Sequence, residues 1–440
     1  MRLVISRNEI NKSPMSLFFL TAPFVVSSIF QGFIPNLPTS VVMQTLIASY
    51  LALYLLKRKT MVLTKFELTT IFLFIAPVMI SILGVFVASI LEQNIVYQRY
   101  VSSNLLNRVF IVTLNITILV GLLTMTSNWT IEKVLCMIKK YYYGLVIFTL
   151  VGVWQFLHFT FGIPFIDIGS RSYIHSVQGT SLFISQRLTS LAAEPSFLAP
   201  LVIDLMILTW LLSKKPIRAF ILGLFVLIFS YSGGGYLNLS ILVIAYIFGH
   251  LKFKGYKVSK KQCLYFFLVS LLVLVFIAQY SNNIYEILYP VLNRTNSIFD
   301  IQKSGRMYMF IMPFIWVLRN NIINALFGYG PNSFNYLNQT ETLTNGSPVH
   351  VTSNNLYSDT VFELGYIGLA SYITIPMLMI KKTWGGMYRN RYYMIAYMLT
   401  VHIFLSSIYR ADFMQPRFWV IIFIILKLIK QGGGDSGRRE

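Results

Sequence analysis

Charge is what this chain is short of. Only 12% of its 440 residues are charged and 56% are hydrophobic, whereas a soluble domain carries roughly 25% charge. So few charges cannot clothe a water-exposed surface, which excludes two or three soluble domains and makes a bilayer the natural solvent. Cysteine is scarcer still. Cys136 and Cys263 are the two; they lie at the ends of apolar runs on one side of the membrane, so neither a disulfide framework nor a thiol metal site is available. There is no glycine loop leading into Lys-Ser/Thr, no His-Glu-x-x-His pair and no Asp-x-Asp motif. The chemistry expected of such a chain uses no metal and no cofactor.

Long apolar runs are abundant. A membrane-spanning helix needs about 20 mostly apolar residues, and twelve runs approach this, near 15–33, 38–56, 66–90, 105–126, 141–161, 188–212, 217–231, 234–250, 263–280, 354–380, 392–408 and 418–430. The expected fold is an all-α polytopic membrane protein. Residues 1–280 carry spans one to nine, 281–353 a large outer loop, 354–431 spans ten to twelve, and 432–440 read as a linker or tag remnant. The first run lacks a small-residue cleavage site and reads as a retained span.

Cations orient the spans. Alternate loops and both termini hold 26 basic and five acidic residues, a net +21, while the opposite loops hold ten basic and nine acidic residues, a net +1. Both termini are therefore expected in the cytoplasm. The basic excess is an orientation signal, so no nucleic-acid partner is needed to explain it. A second bias remains after that one is subtracted. The cytoplasmic set has 18 lysines and eight arginines; the outer set has nine arginines and one lysine, Lys303. Arginine presents a rigid fork that matches phosphate or carboxylate oxygens in pairs, so the outer face reads as one that binds anions.

The outer side also carries the candidate residues. Span six opens Gln186-Arg187-Leu188, so Arg187 and Glu194, seven apart or two helical turns, are expected to share one face near the outer surface, beside Pro195. In the long loop, Met307 to Leu318 is too short to cross a bilayer and reads as an interfacial or re-entrant helix. Phe327-Gly328-Tyr329-Gly330-Pro331 reads as a tight turn that lets backbone approach a ligand. His350, Asp359 and Glu363 gather around one helix entry, and Arg410, Asp412 and Arg417 fall within eight residues. Two arginines there would clasp a diphosphate or bracket Asp412. Asp204, mid-span, is a functional candidate or a hydrogen-bonded structural acid.

The order of these elements resembles the O-antigen ligase/polymerase superfamily, most closely the Wzy-type O-antigen or capsule repeat-unit polymerases of Gram-negative bacteria. The matching features are the twelve spans, the long loop between spans nine and ten, and the local patterns Arg187…Glu194-Pro195-Ser196, Ser304-Gly305-Arg306…Phe327-Gly328-Tyr329-Gly330 and Asn355-Leu356-Tyr357…Glu363-Leu364-Gly365-Tyr366-Ile367-Gly368. The resemblance implies a GT-C-like glycosyltransferase of the inner membrane with a periplasmic active site. It would move a growing glycan from undecaprenyl diphosphate onto a new lipid-linked repeat unit. Arg306, supported by Arg187, Arg410 and Arg417, would hold the diphosphate; Tyr329, Asn355 and Asp359 would line the glycan site; Glu194 or His350 would be the base. A chain-length regulator and a flippase are partners by the same analogy. Two departures stand out. Ser232-Gly233-Gly234-Gly235 replaces a serine followed by arginine, and Asn354-Asn355 replaces a His-Asn pair. A ligase to lipid A–core leans on that histidine, so its displacement to His350 favours a polymerase. A lipid-linked glycan flippase is the reading from another class; it would place cations in a central cavity and needs no long outer loop.

Overall fold

A computed structural model describes residues 14–26, 39–58, 61–91, 94–165, 187–192, 194–213, 215–254, 305–319, 321–343, 346–350, 352–387 and 390–434. Among these the chain is helical, with no strand and one isolated bridge between Thr342 and Pro348. The helices, in chain order, are α1 Pro14–Thr21, α2 Thr39–Lys57, α3 Lys65–Leu91, α4 Ile95–Tyr100, α5 Leu106–Met125, α6 Ile131–Phe161, α7 Pro195–Leu212, α8 Pro216–Phe229 and α9 Gly233–Lys254. They continue with α10 Gly305–Trp316, α11 Ile322–Phe327, α12 Phe334–Thr340, α13 Leu356–Gly386, α14 Arg391–Tyr409 and α15 Pro416–Gly434. Among the described residues six segments are long and apolar enough to cross a membrane: α3, the continuous Ile95–Met125, α6, α7, α13 and α14. The chain is thus an all-α polytopic membrane protein. Helices occupy every predicted run except 263–280, which lies outside the described residues, as does Cys263. The predicted short helix after Gly305 is present as α10.

Sequence-local signals set the helix starts. In hydrocarbon every backbone group must be satisfied within the protein, and asparagines cap four helices: Asn94, Asn321, Asn355 and Asn390 each accept a backbone N–H from the first turn. Thr64 and Glu67 form a reciprocal capping box at the start of α3, with Thr64 N donating to Glu67 Oε2 at 2.7 Å and Glu67 N to Thr64 Oγ1 at 3.2 Å. Removing the Asn355 cap by Asn355→Ala strips the bonds from Tyr357 N and Ser358 N. It should cost about 1 kcal/mol, read as a lower melting midpoint of the purified protein in detergent.

The tertiary contacts sort residues as the charge pattern does. Arg58 donates to Thr124 O, Lys427 to Leu123 O, Lys430 to Ser127 O, and Arg391 to Trp210 O and Leu211 O. Each bond joins helix ends on the lysine-rich side. At the other end, a second core of Tyr97, Tyr100, Trp316, Tyr329, Phe334 and Phe362 ties α4, α10, α12 and the first part of α13 together.

The glycines of the two local motifs explain that packing. α13 breaks at Gly365 (φ 72°, ψ −175°), so its first residues, Leu356–Leu364, form a short helix set off from the rest. Tyr329 N and Gly330 N donate to Phe362 O and Glu363 O, both at 2.9 Å. A Cβ on Gly328 (φ 79°) would overlap Glu363 O, one on Gly365 would overlap Leu326 O, and one on Gly84 of α3 would overlap Gly328 O. The glycine turn therefore brings backbone close to backbone, where a ligand approach was expected, and locks the 327–330 turn onto the α13 break. Gly328→Ala combines positive-φ strain of about 1–3 kcal/mol with that overlap. It should lower the melting midpoint far more than Gly346→Ala, a positive-φ glycine with open space around it.

Candidate active site

The segment 187–192 is not helical, which corrects the expectation that Arg187 and Glu194 share a helix face. Gln155 Oε1 of α6 takes the amides of both Thr189 and Ser190 at 2.8 Å, Ser190 sits at φ 55°, and Leu188 N donates to Phe229 O. Helix α7 starts at Pro195, whose missing N–H suits the first helical position. The residue before a proline is pushed to extended backbone, and Glu194 is there (φ −144°, ψ 153°), at the N-cap. Its carboxylate lies at the positive end of α7 and accepts from Ser196 Oγ at 3.3 Å. Arg187 is buried beside the exit of α8, with Nε donating to Ser230 O and Nη2 to Tyr231 O.

The triglycine after Ser232 brings in the end of α14. A Cβ on Gly234 would lie 2.6 Å from Tyr409 Cγ, and one on Gly235 would lie 2.7 Å from Ala199 Cβ of α7. Tyr409 also accepts from Asn238 Nδ2. Arg410 follows at once. Its Nε donates to Asp412 Oδ1 at 2.8 Å, and its guanidinium lies 3.0 Å over the Phe197 ring. Burial pulls the Arg410 pKa below its ordinary value while the Asp412 and Glu194 charges pull it back up. The ends of α7, α8, α9 and α14 thus gather Arg187, Glu194 and Arg410 at one end of the bundle.

Asp412 leads inward. Arg417 Nη1 donates to Asp412 Oδ2 at 3.0 Å, while its Nε and Nη2 reach Asp204 Oδ2 and Oδ1 at 2.7 and 3.1 Å and Nη2 also reaches Pro200 O. Tyr141 donates to Asp204 Oδ2 at 2.8 Å, and His402 Nε2 lies 3.1 Å from Asp204 Oδ1. Arg417, Asp204 and His402 are all at most 1% exposed. Asp204 is a hydrogen-bonded acid held by three side-chain donors, Arg417 Nε and Nη2 and the Tyr141 hydroxyl, with the His402 ring beside it, and Arg417 points into the bundle.

The remaining expected residues scatter. Asn355 caps α13, and Tyr329 stacks on Phe362 at 4.8 Å inside the second core. Asp359 is buried and accepts from Thr352 Oγ1, Ser353 N and Ser353 Oγ. His350 is exposed on the segment before α13, while the groups that meet Asp359 are Thr352 and Ser353. Arg306 lies in the first turn of α10, with its side chain outside the described residues. Sequence reasoning passed over Arg108, whose Nη2 bonds Glu363 Oε1 at 3.2 Å, and His402. Both are ionisable residues inside apolar runs, the signal that singled out Asp204.

No curated protein matches the chain. Residues 219–373 match the family model of the O-antigen ligase domain, from within α8 to the middle of α13. Members of that family are glycosyltransferase-like enzymes acting on lipid-linked glycans. This match, on an all-α polytopic membrane chain, supports membership of the O-antigen ligase/polymerase superfamily.

Proposed function

We propose that the protein is an O-antigen polymerase of the bacterial inner membrane. It transfers a growing glycan from undecaprenyl diphosphate to a new lipid-linked repeat unit on the periplasmic face. The observation that carries this reading is the gathering of Arg187, Glu194 and Arg410 at the lysine-poor end of the bundle, beside the N-termini of α7 and α9. A departing diphosphate needs fixed positive charge and donors where charge develops, and arginines with helix N-termini supply both. By the resemblance, Arg306, in the first turn of α10, would be a further arginine for the diphosphate. Glu194, partly exposed beside Arg410, takes the proton of the acceptor hydroxyl, whose oxygen bonds the donor anomeric carbon as the diphosphate leaves with its electron pair.

Surface lipopolysaccharide from a strain lacking the gene tests the reading. Core bearing one repeat unit and no ladder is expected. Bare core, with polymer built up on its carrier, would identify a ligase. Bare core with single repeat units trapped on the cytoplasmic side would identify a flippase and overturn the proposal.

A further inference from the structure

Across the Ala411–Met414 turn from Arg410 lies a second charged pocket. It is a cavity of about 20 Å³ lined by Arg108, Asp359, Thr360, Glu363, Tyr372 and Phe413, among others. That volume holds one water or one hydroxyl group. Its polar walls are incompletely satisfied. Arg108 uses Nη2 on Glu363, but Arg108 Nε has no hydrogen-bond partner among the described residues, and neither has the Tyr372 hydroxyl, although Tyr372 is 1% exposed. Leaving a buried polar group unpaired costs free energy comparable to a lost hydrogen bond, so an unpaired donor and an unpaired hydroxyl on two residues that line one hydroxyl-sized space mark it as a place for an oxygen. The Arg108 side chain is 22% exposed, so this wall of the pocket reaches the surface. The pocket is assembled by the features that fix the outer end: the Gly365 break presents Glu363, and the glycine turn at 328–330 clamps its carbonyl.

We infer that Arg108, Glu363 and Tyr372 form a recognition subsite for a non-reacting hydroxyl of the acceptor glycan. It is separate from the arginines proposed for the donor diphosphate. This rests on the polymerase reading, which requires two lipid-linked glycans to meet at one face. A sugar hydroxyl both donates and accepts. Glu363 and the Tyr372 oxygen can accept from it, and Arg108 Nε and the Tyr372 O–H can donate to it, so this polar set fits a hydroxyl better than an anion, which two carboxylates would repel.

The test uses the purified full-length protein in nanodiscs, an undecaprenyl-diphosphate-linked repeat unit as donor and a shorter-lipid, fluorescent repeat unit as acceptor. Tyr372→Phe removes one hydroxyl without altering ring packing. It should raise acceptor KM about tenfold with donor KM unchanged, the effect of losing one hydrogen bond of about 1.4 kcal/mol. Glu363→Gln should do the same or more. If wild type extends the acceptor and both variants keep wild-type acceptor KM, the cavity holds an ordered water alone and the subsite is overturned. If both variants raise donor and acceptor KM equally, or merely melt earlier, the role is structural and the subsite again fails. If wild-type protein joins no acceptor, the polymerase reading itself fails and takes the subsite with it.

Discussion

Replacing Arg417 with leucine is expected to cost about 3–5 kcal/mol and to leave little folded protein at physiological temperature. The side chain is 1% exposed and bonds two carboxylates at once: Asp204 through two nitrogens and Asp412 through a third. Removing one partner of a buried ion pair leaves a charge in a low-dielectric interior without compensation, and that produces penalties of this size. Asp412 keeps Arg410, so the uncompensated charge is Asp204. The double variant Arg417→Leu with Asp204→Leu should therefore recover most of the lost stability, because replacing both partners by apolar groups is often close to neutral. Arg417→Lys should recover only part, since a single ammonium cannot reproduce a bidentate bond to Asp204 together with a bond to Asp412. Melting curves followed by size-exclusion chromatography in detergent measure all three. A single Arg417→Leu variant that melts with wild type would sink this account, and so would a double variant no better than the single one.

The spans were legible because hydrophobic run length is a one-dimensional property. A bilayer demands about 20 apolar residues whatever the tertiary structure, and the described runs carry helices, the sixth starting at Pro195 and not at 188. The lysine and arginine asymmetry was legible for the same reason: it is read per loop. What failed depends on partners distant in sequence. The helical spacing of Arg187 and Glu194 was overruled by Gln155, 34 residues from Thr189, which bonds the amides of Thr189 and Ser190. The glycines at 328 and 330 signalled close backbone approach correctly, but the approaching backbone is that of residues 362 and 363. Local sequence cannot say what stands on the other side of a tight turn. Arg410 and Arg417 looked equivalent in one short loop. Folding separates them: one sits over the Phe197 ring, and the other is drawn inward by Asp204, over 200 positions away in the chain.

That separation makes Arg410 the more informative variant for activity. Arg410→Lys is expected to reduce glycan transfer about 10²–10³-fold, the range seen when one charge-stabilising donor is lost from a transition state, while the melting midpoint stays near that of wild type. The stability expectation follows from Asp412, which retains its bond from Arg417, so no carboxylate is stranded. The activity expectation follows from geometry. Arg410 sits over the Phe197 ring and commits Nε to Asp412; both Nη groups are without a protein acceptor among the described residues, ready for a pair of oxygens. Lysine keeps the charge but loses the planar fork and the stacking. If charge alone mattered, lysine would rescue what alanine abolishes. Rates of lipid diphosphate release and of chain extension, measured on Arg410→Lys and Arg410→Ala side by side, decide the point. Comparable losses in both rates for both variants would support a fork that binds the diphosphate. Full activity in the lysine variant would reduce Arg410 to a source of local potential, and unchanged release in the alanine variant would remove it from the diphosphate site altogether.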